Sequence, residues 1–271
     1  MPVYHRGQKG PQRIVCLTEE TTETLYLLGE QTRIVGISGY TVRPPQARRE
    51  KPRVSAFTHA RIDKILALEP DLVLGFSDMQ ADIAAQLIRA GVAVHVFNQR
   101  SLEGIFAMIH TLGALVGAGA AAERLAESLH RHLDAVRERA ATLPRRPRVY
   151  FEEWPDPLIC GIRWVSELIT IAGGEDCFAG LAAGPRGRDR IIADPDEVLR
   201  QSPEIVLGSW CGRRFRPDEV KARPGWHILP AVRHQHVYEI PAPLILQPGP
   251  AALTDGLDRI HQCIRNWTAM Q

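Results

Sequence analysis

Little in this chain is spaced for covalent chemistry. Glu152 and Glu153 are adjacent carboxylates, residues able to pass a proton as acid and base. Neighbours on a strand point to opposite faces, however, which favours two separate structural roles. His234 and His236 would share one face of a strand, although an incidental surface pair is the simpler reading, and His130 and His132 have the wrong spacing for one helical face. No G-x-x-x-x-G-K-[ST] loop, H-E-x-x-H pair or G-x-S-x-G elbow occurs, which leaves ATP hydrolysis, zinc proteolysis and serine hydrolysis without a motif. Gly117-Ala118-Gly119 follows a helical pattern and lacks a third glycine, so it reads as a helix break rather than a dinucleotide loop. The chain is therefore read as a binder rather than an enzyme, with no catalytic residue, resident cofactor or metal site assigned.

What remains is aromatic and falls where parallel α/β sheets bind ligands, beyond the carboxyl ends of strands. Tyr40 follows the strand pattern RIVGI, Phe76 ends DLVLG, Trp154 follows RVYF and Trp210 follows EIVLG. Phe57 and Trp164 sit in loops leading into helices. Rigid aromatic walls grip broad, partly apolar molecules at low entropy cost, so these six side chains predict a cleft for a large small-molecule ligand.

The elements that must position them come in two series. The phrase IDKILALEPDLVLG from Ile62 recurs as PDEVLRQSPEIVLG from Pro195, each an amphipathic helix of about two turns followed by a buried strand entered through Pro70 or Pro203. Strand and helix alternate on both sides of a proline-free stretch, AAAERLAESLHRHLDAVRERAATL, whose Leu125, Leu129, Leu133 and Val136 keep helical spacing. The expected fold is α/β: two Rossmann-like lobes of parallel strands flanked by helices, 1–117 and 144–271, joined by one long helix over 118–143 that limits hinge motion.

Composition agrees with two folded lobes. The chain has 271 residues, 45% hydrophobic, and a net charge of +2, which calls for neither nucleic acid nor an anionic membrane, although local clusters need separate judgement. No run approaches the roughly 18 apolar residues of a membrane span. The opening MPVYHRGQKGPQ is polar and basic, and the first apolar run, IVCL, is short for a signal peptide. Five scattered cysteines without a C-x-x-C pair read as buried small hydrophobes rather than a disulfide framework.

The segments RIVCLTEETTETLYLLG, SGYTVRPP, RIDKILALEPDLVLGF, ELITIAGGEDCF and DPDEVLRQSPEIVLGSW carry a specific resemblance. The chain resembles the class III periplasmic substrate-binding proteins of ABC importers, most closely the cobalamin-binding branch, with the ferric siderophore branch next. That resemblance implies a monomer that captures a corrinoid such as cobalamin between its lobes and delivers it to a permease dimer. It implies that Tyr40, Phe57 and Phe76 pack on the corrin ring, and that Asp63 and Asp196 dock with the two permease subunits, with aspartate where the family usually has glutamate. Where relatives place a tryptophan before the second repeat helix this chain has Arg190, and with Arg186, Arg188, Arg213, Arg214 and Arg216 it reads either as a solvated surface or as a basic rim for an anionic part of the ligand. His59, beside Phe57, reads as polar lining or as a ligand to the corrinoid metal. A ferric siderophore or haem is the alternative cargo. The resemblance places the protein in the periplasm, while the missing leader leaves a cytoplasmic corrinoid carrier, or an enzyme on the same fold, as the other reading.

Overall fold

The computed structural model describes residues 10–270, so most of the polar opening in which a leader was sought lies outside the described residues. The chain divides into two units, Met1–Gln99 with Glu103–Ser128, and Arg100–Leu102 with Leu129–Gln271. Unit 1 is built on β1 (Ile14–Cys16), β2 (Ile34–Ser38), β3 (Arg53–Ser55), β4 (Leu72–Phe76) and β5 (Val94–Phe97), ordered β3-β2-β1-β4-β5 and parallel throughout. Near-continuous apolar runs dictate this, because a strand covered on both faces has no polar side to show. Val15, Leu17, Val73, Ile65, Ile83 and Leu87 form its core.

Unit 2 departs from a purely parallel sheet. Its strands are β6 (Arg148–Pro155), β7 (Leu158–Cys160), β8 (Glu175–Asp176), β9 (Ile205–Gly208) and β10 (Val237–Glu239). β10, β9 and β6 run parallel, and the two-residue β8 joins the start of β6. β7 lies antiparallel on the far half of β6, because Pro155, Asp156 and Pro157 turn the chain straight back. Trp154 is consequently inside a strand rather than in a loop after one.

The two copies of the repeated phrase share one scaffold. In each, a six-residue helix, Ile62–Ala67 or Asp196–Gln201, is followed by a left-handed residue, Glu69 or Ser202, that reverses the chain into the strand. An arginine at the start of the neighbouring strand caps the last helical carbonyls. The Arg13 guanidinium donates to the Leu68 and Glu69 carbonyls, and that of Arg148 to Gln201 and Ser202. The acid after the proline has a fixed role too. Asp71 accepts the backbone N–H groups of Gln12 and Arg13, and Glu204 accepts that of Arg148 and the Arg145 guanidinium. The closing glycines make room for a neighbour: a Cβ on Gly75 would lie 2.9 Å from the Gln80 amide oxygen, and one on Gly208 would lie 1.8 Å from the Phe215 ring.

The helix Gly119–Ala141 has 23 residues, about 35 Å at 1.5 Å per residue, and buries Ala122, Ala126, Leu129, Leu133 and Val136 along one stripe. The division between the two compact units falls inside this helix, after Ser128. Among the described residues no helix is long and apolar enough to cross a membrane. Cys16, Cys160 and Cys263 are buried as expected of small hydrophobes, Cys177 is half-buried, and Cys211 departs from that reading by being exposed.

Candidate functional site

In unit 1 the carboxyl ends of β2 and β4 and the loop after β3 are tied together. Gly39, past the end of β2, donates its N–H to the Ser55 carbonyl, which places Tyr40 beside that loop with 53% of its surface exposed. Phe57, half-buried, packs against Phe76 with ring centroids 6.5 Å apart. His59 is exposed, and its Nδ1 lies 2.9 Å from the Thr58 hydroxyl. Gln80 holds the arrangement from beneath: its amide oxygen accepts the Phe76 N–H at 2.9 Å, and its amide nitrogen donates to the Phe57 carbonyl at 2.8 Å. Gln80 escapes sequence reading because a lone glutamine carries no pattern. The hydroxyls of Thr41 and Ser55 have buried oxygens without a hydrogen-bond partner among the described residues.

The same edge holds acids. Glu19, Glu20 and Glu23 open the helix that follows β1, and all three are buried. Burial pushes the Glu19 carboxyl up to about 7 and the fully enclosed Glu20 up to about 8, although the Thr18 hydroxyl donates to Glu20 at 2.6 Å and opposes the rise. The run TEETTET signals this, three acids just past a strand, but helix N-terminal acids are commonplace and the sequence alone does not separate exposed from buried ones.

Unit 2 gives its corresponding residues other duties. Trp210 is 1% exposed: its indole N–H donates to Glu152 at 2.8 Å, Phe215 meets it edge-on at 5.0 Å, and the Arg213 guanidinium lies 4.3 Å over its ring. Trp164 is also buried, in the first turn of the helix Arg163–Ile171 rather than in a loop, and donates to the Ile245 carbonyl at 2.9 Å. These two tryptophans are core, not edge. Trp154 is half-buried, its indole N–H on the Asp156 carbonyl at 2.8 Å.

The adjacent acids explain the arginines. Glu152, fully buried, accepts from the Tyr150 hydroxyl, the Trp210 indole and both terminal nitrogens of Arg223. Glu153 accepts two hydrogen bonds from Arg190, at 2.7 and 2.8 Å, and Arg190 is 2% exposed. Arg190 is thus the buried half of an ion pair, not part of a rim. Arg186 pairs with Asp189, while Arg213 and Arg216 share Glu219. Arg214 approaches Glu239 at 3.8 Å and Arg188 approaches Asp189 at 4.0 Å, so acids accompany the whole set. His236 is 1% exposed with its Nδ1 2.8 Å from the Tyr238 hydroxyl, which removes the surface pair with His234. Among the described residues no three His, Cys, Asp or Glu side chains cluster to hold a metal.

Two parallel-stranded sheets flanked by helices, built on a shared repeat, are the fold of a known family, and the family profile for periplasmic binding proteins matches residues 14–244. The chain belongs to the periplasmic binding protein family. An ABC transporter substrate-binding lipoprotein of Bacillus subtilis is 25% identical over 266 residues, covering 95% of this chain and 81% of the relative. A vitamin B12-binding protein of Vibrio campbellii is 26% identical over 243 residues, covering 88% and 85%. Among solved structures, the periplasmic heme-binding protein RhuT of Roseiflexus superposes with a TM-score of 0.80 at 23% identity, covering 96% of this chain and all of that one.

In this periplasmic binding protein the two repeat acids stand alike. Asp63 and Asp196 are exposed in the first turns of their short helices, and neither carboxylate makes an ion pair or hydrogen bond among the described residues. Their neighbours differ: Asp194 and Glu197 both engage Arg200 beside Asp196, whereas the side chains of Arg61 and Lys64, which flank Asp63, have no partner among the described residues.

Proposed function

We propose that this binding protein captures a corrinoid of the cobalamin type and delivers it to an ABC importer. The observation that carries the reading is the edge of unit 1, where Phe57 packs on Phe76 beside an exposed Tyr40 and His59. Such a surface offers π faces and an imidazole to a broad ring system. Within unit 2, Trp154 is half-buried and stands as that unit's aromatic candidate. The vitamin B12-binding relative supports the corrinoid over other cargo.

Haem or a ferric siderophore is the rival cargo, and the haem-binding structural neighbour keeps it in view. The arginines of 186–216, read as a basic rim suited to an anionic chelate, are accompanied by acids instead, which removes that support for the rival. Titration calorimetry with cobalamin, cobinamide, haem and a ferric hydroxamate decides between them. Heat from the first two alone is expected; no heat from any corrinoid sinks the reading.

Delivery assigns Asp63 and Asp196 as contacts for basic pockets on an importer, and an extracytoplasmic location goes with it. Replacing both by alanine should leave corrinoid affinity unchanged and reduce uptake in cells dependent on this protein. Unaltered uptake rejects the docking role.

A further inference from the structure

Unit 1 carries a strip of positive charge to which neither the ligand reading nor the docking reading assigns a role. Arg48, Arg49, Arg53, Arg61 and Lys64 are exposed, Lys51 is half-buried, and none makes an ion pair or side-chain hydrogen bond among the described residues. Only two acids lie in the same stretch. Glu50 is held by the Tyr26 hydroxyl at 2.8 Å, and the Asp63 carboxylate has no partner among the described residues.

The fold draws these cations into one surface. Arg48 and Arg49 sit on the short helix Ala47–Glu50, which leads directly into β3, the edge strand of the sheet. The chain then doubles back: Ser55 bridges Ala60 in antiparallel fashion, and Arg61 donates its N–H to the Val54 carbonyl at 3.0 Å. Arg53 and Arg61 therefore lie on adjacent legs of one turn, and Lys64 follows within the helix Ile62–Ala67. Like charges crowded this way repel one another, and the arrangement gains by meeting an anionic surface.

We propose that this strip binds the anionic phospholipid headgroups of a membrane surface. Exposed cations spread over the helix Ala47–Glu50, β3 and the helix Ile62–Ala67 suit a fluid field of phosphates better than the regular phosphate spacing of a nucleic acid. Asp63 lies within the strip, so if it meets an importer embedded in a bilayer, Arg61 and Lys64 arrive at the lipid phosphates around it; this orientation rests on the docking reading, whereas lipid binding itself does not. The strip would hold the protein near its importer between encounters.

Vesicle flotation of the full chain tests this, with vesicles of phosphatidylcholine alone and of phosphatidylcholine mixed with phosphatidylglycerol. Flotation with the mixture only is expected, lost at high salt because exposed charges are screened. Arg53→Glu with Arg61→Glu should weaken it by well over tenfold, since each cation near such a surface is worth about fivefold in binding. Arg213→Glu with Arg216→Glu, in unit 2, should float as the parent does. Asp63→Ala should also float undiminished, so a failed docking role leaves this result intact. Circular dichroism checks that the charge-reversed chains remain folded. No flotation with the anionic mixture, or equal flotation by the Arg53 and Arg61 variant, overturns the proposal and leaves the cations as guards against pairing at a sheet edge.

Discussion

The same repeated phrase ends in two differently used edges. In unit 1, past β2 and β3, Tyr40 is exposed, Phe57 is half-buried, and the cations of the same stretch have no side-chain partners among the described residues. In unit 2, on β6 and past β9, Trp210 is enclosed, Glu152 and Glu153 each hold an arginine, and the other arginines of 186–216 face acids. A duplicated scaffold therefore fixes where an edge lies but not whether its side chains turn outward. What decides is whether the chain supplies a partner: a buried indole or guanidinium needs an acceptor, and β6 carries two carboxylates, each holding its own arginine.

Removing Arg223 should break unit 2 hardest. Arg223→Ala leaves the Glu152 carboxylate buried without its cation, at a cost of about 3–5 kcal/mol by chemical denaturation. Trp210→Ala should cost a similar amount, about 3–5 kcal/mol, through the cavity it leaves. If either variant keeps full stability and loses only ligand affinity, the two edges are more alike than their burial indicates.

The corresponding change in unit 1 should act on binding instead. Phe57→Ala is expected to weaken corrinoid affinity by about 1–3 kcal/mol in calorimetry, and Tyr40→Ala should leave stability within about 0.5 kcal/mol of the parent. A loss of fold without a specific loss of affinity would move Phe57 into the core.

A pH series isolates unit 1 in another way. The unfolded chain releases the Glu20 proton near 4.5 and the folded one holds it to about 8, so between these values the folded state binds more protons. Stability should accordingly fall as pH rises through that window. The melting temperature should decline by several degrees in the parent, and Glu20→Gln should flatten the slope. The smallest effect belongs to the paired surface: Arg213→Ala with Arg216→Ala should change stability by less than about 1 kcal/mol, because exposed ion pairs are screened.

The sequence made the scaffold readable because its signals are local. Pro70 and Pro203, the apolar runs of β4 and β9, and the exposed first-turn acids Asp63 and Asp196 each depend on residues within a few positions. The sequence reads Trp164, Trp210 and Arg190 as ligand-edge residues, whereas they are buried; the partners that enclose them, Ile245, Glu152 and Glu153, are distant in sequence and leave no local signal. The strand β3 was hidden in a proline-containing stretch by its three-residue length, and the β7 hairpin by the expectation of parallel strands alone.

The clamp that Arg13 and Arg148 place on the repeat helices has a kinetic consequence. Helices of six residues do not persist alone in water, since nucleation costs more than so few bonds return. Each is completed by an arginine from a distant strand, 55 residues upstream of the Leu68 carbonyl in the first case. Such long-range closure arrives late in folding, together with the sheet. The helices carrying Asp63 and Asp196 therefore exist only on assembled units, so an importer that engages those acids would admit finished protein and pass over nascent or damaged chains.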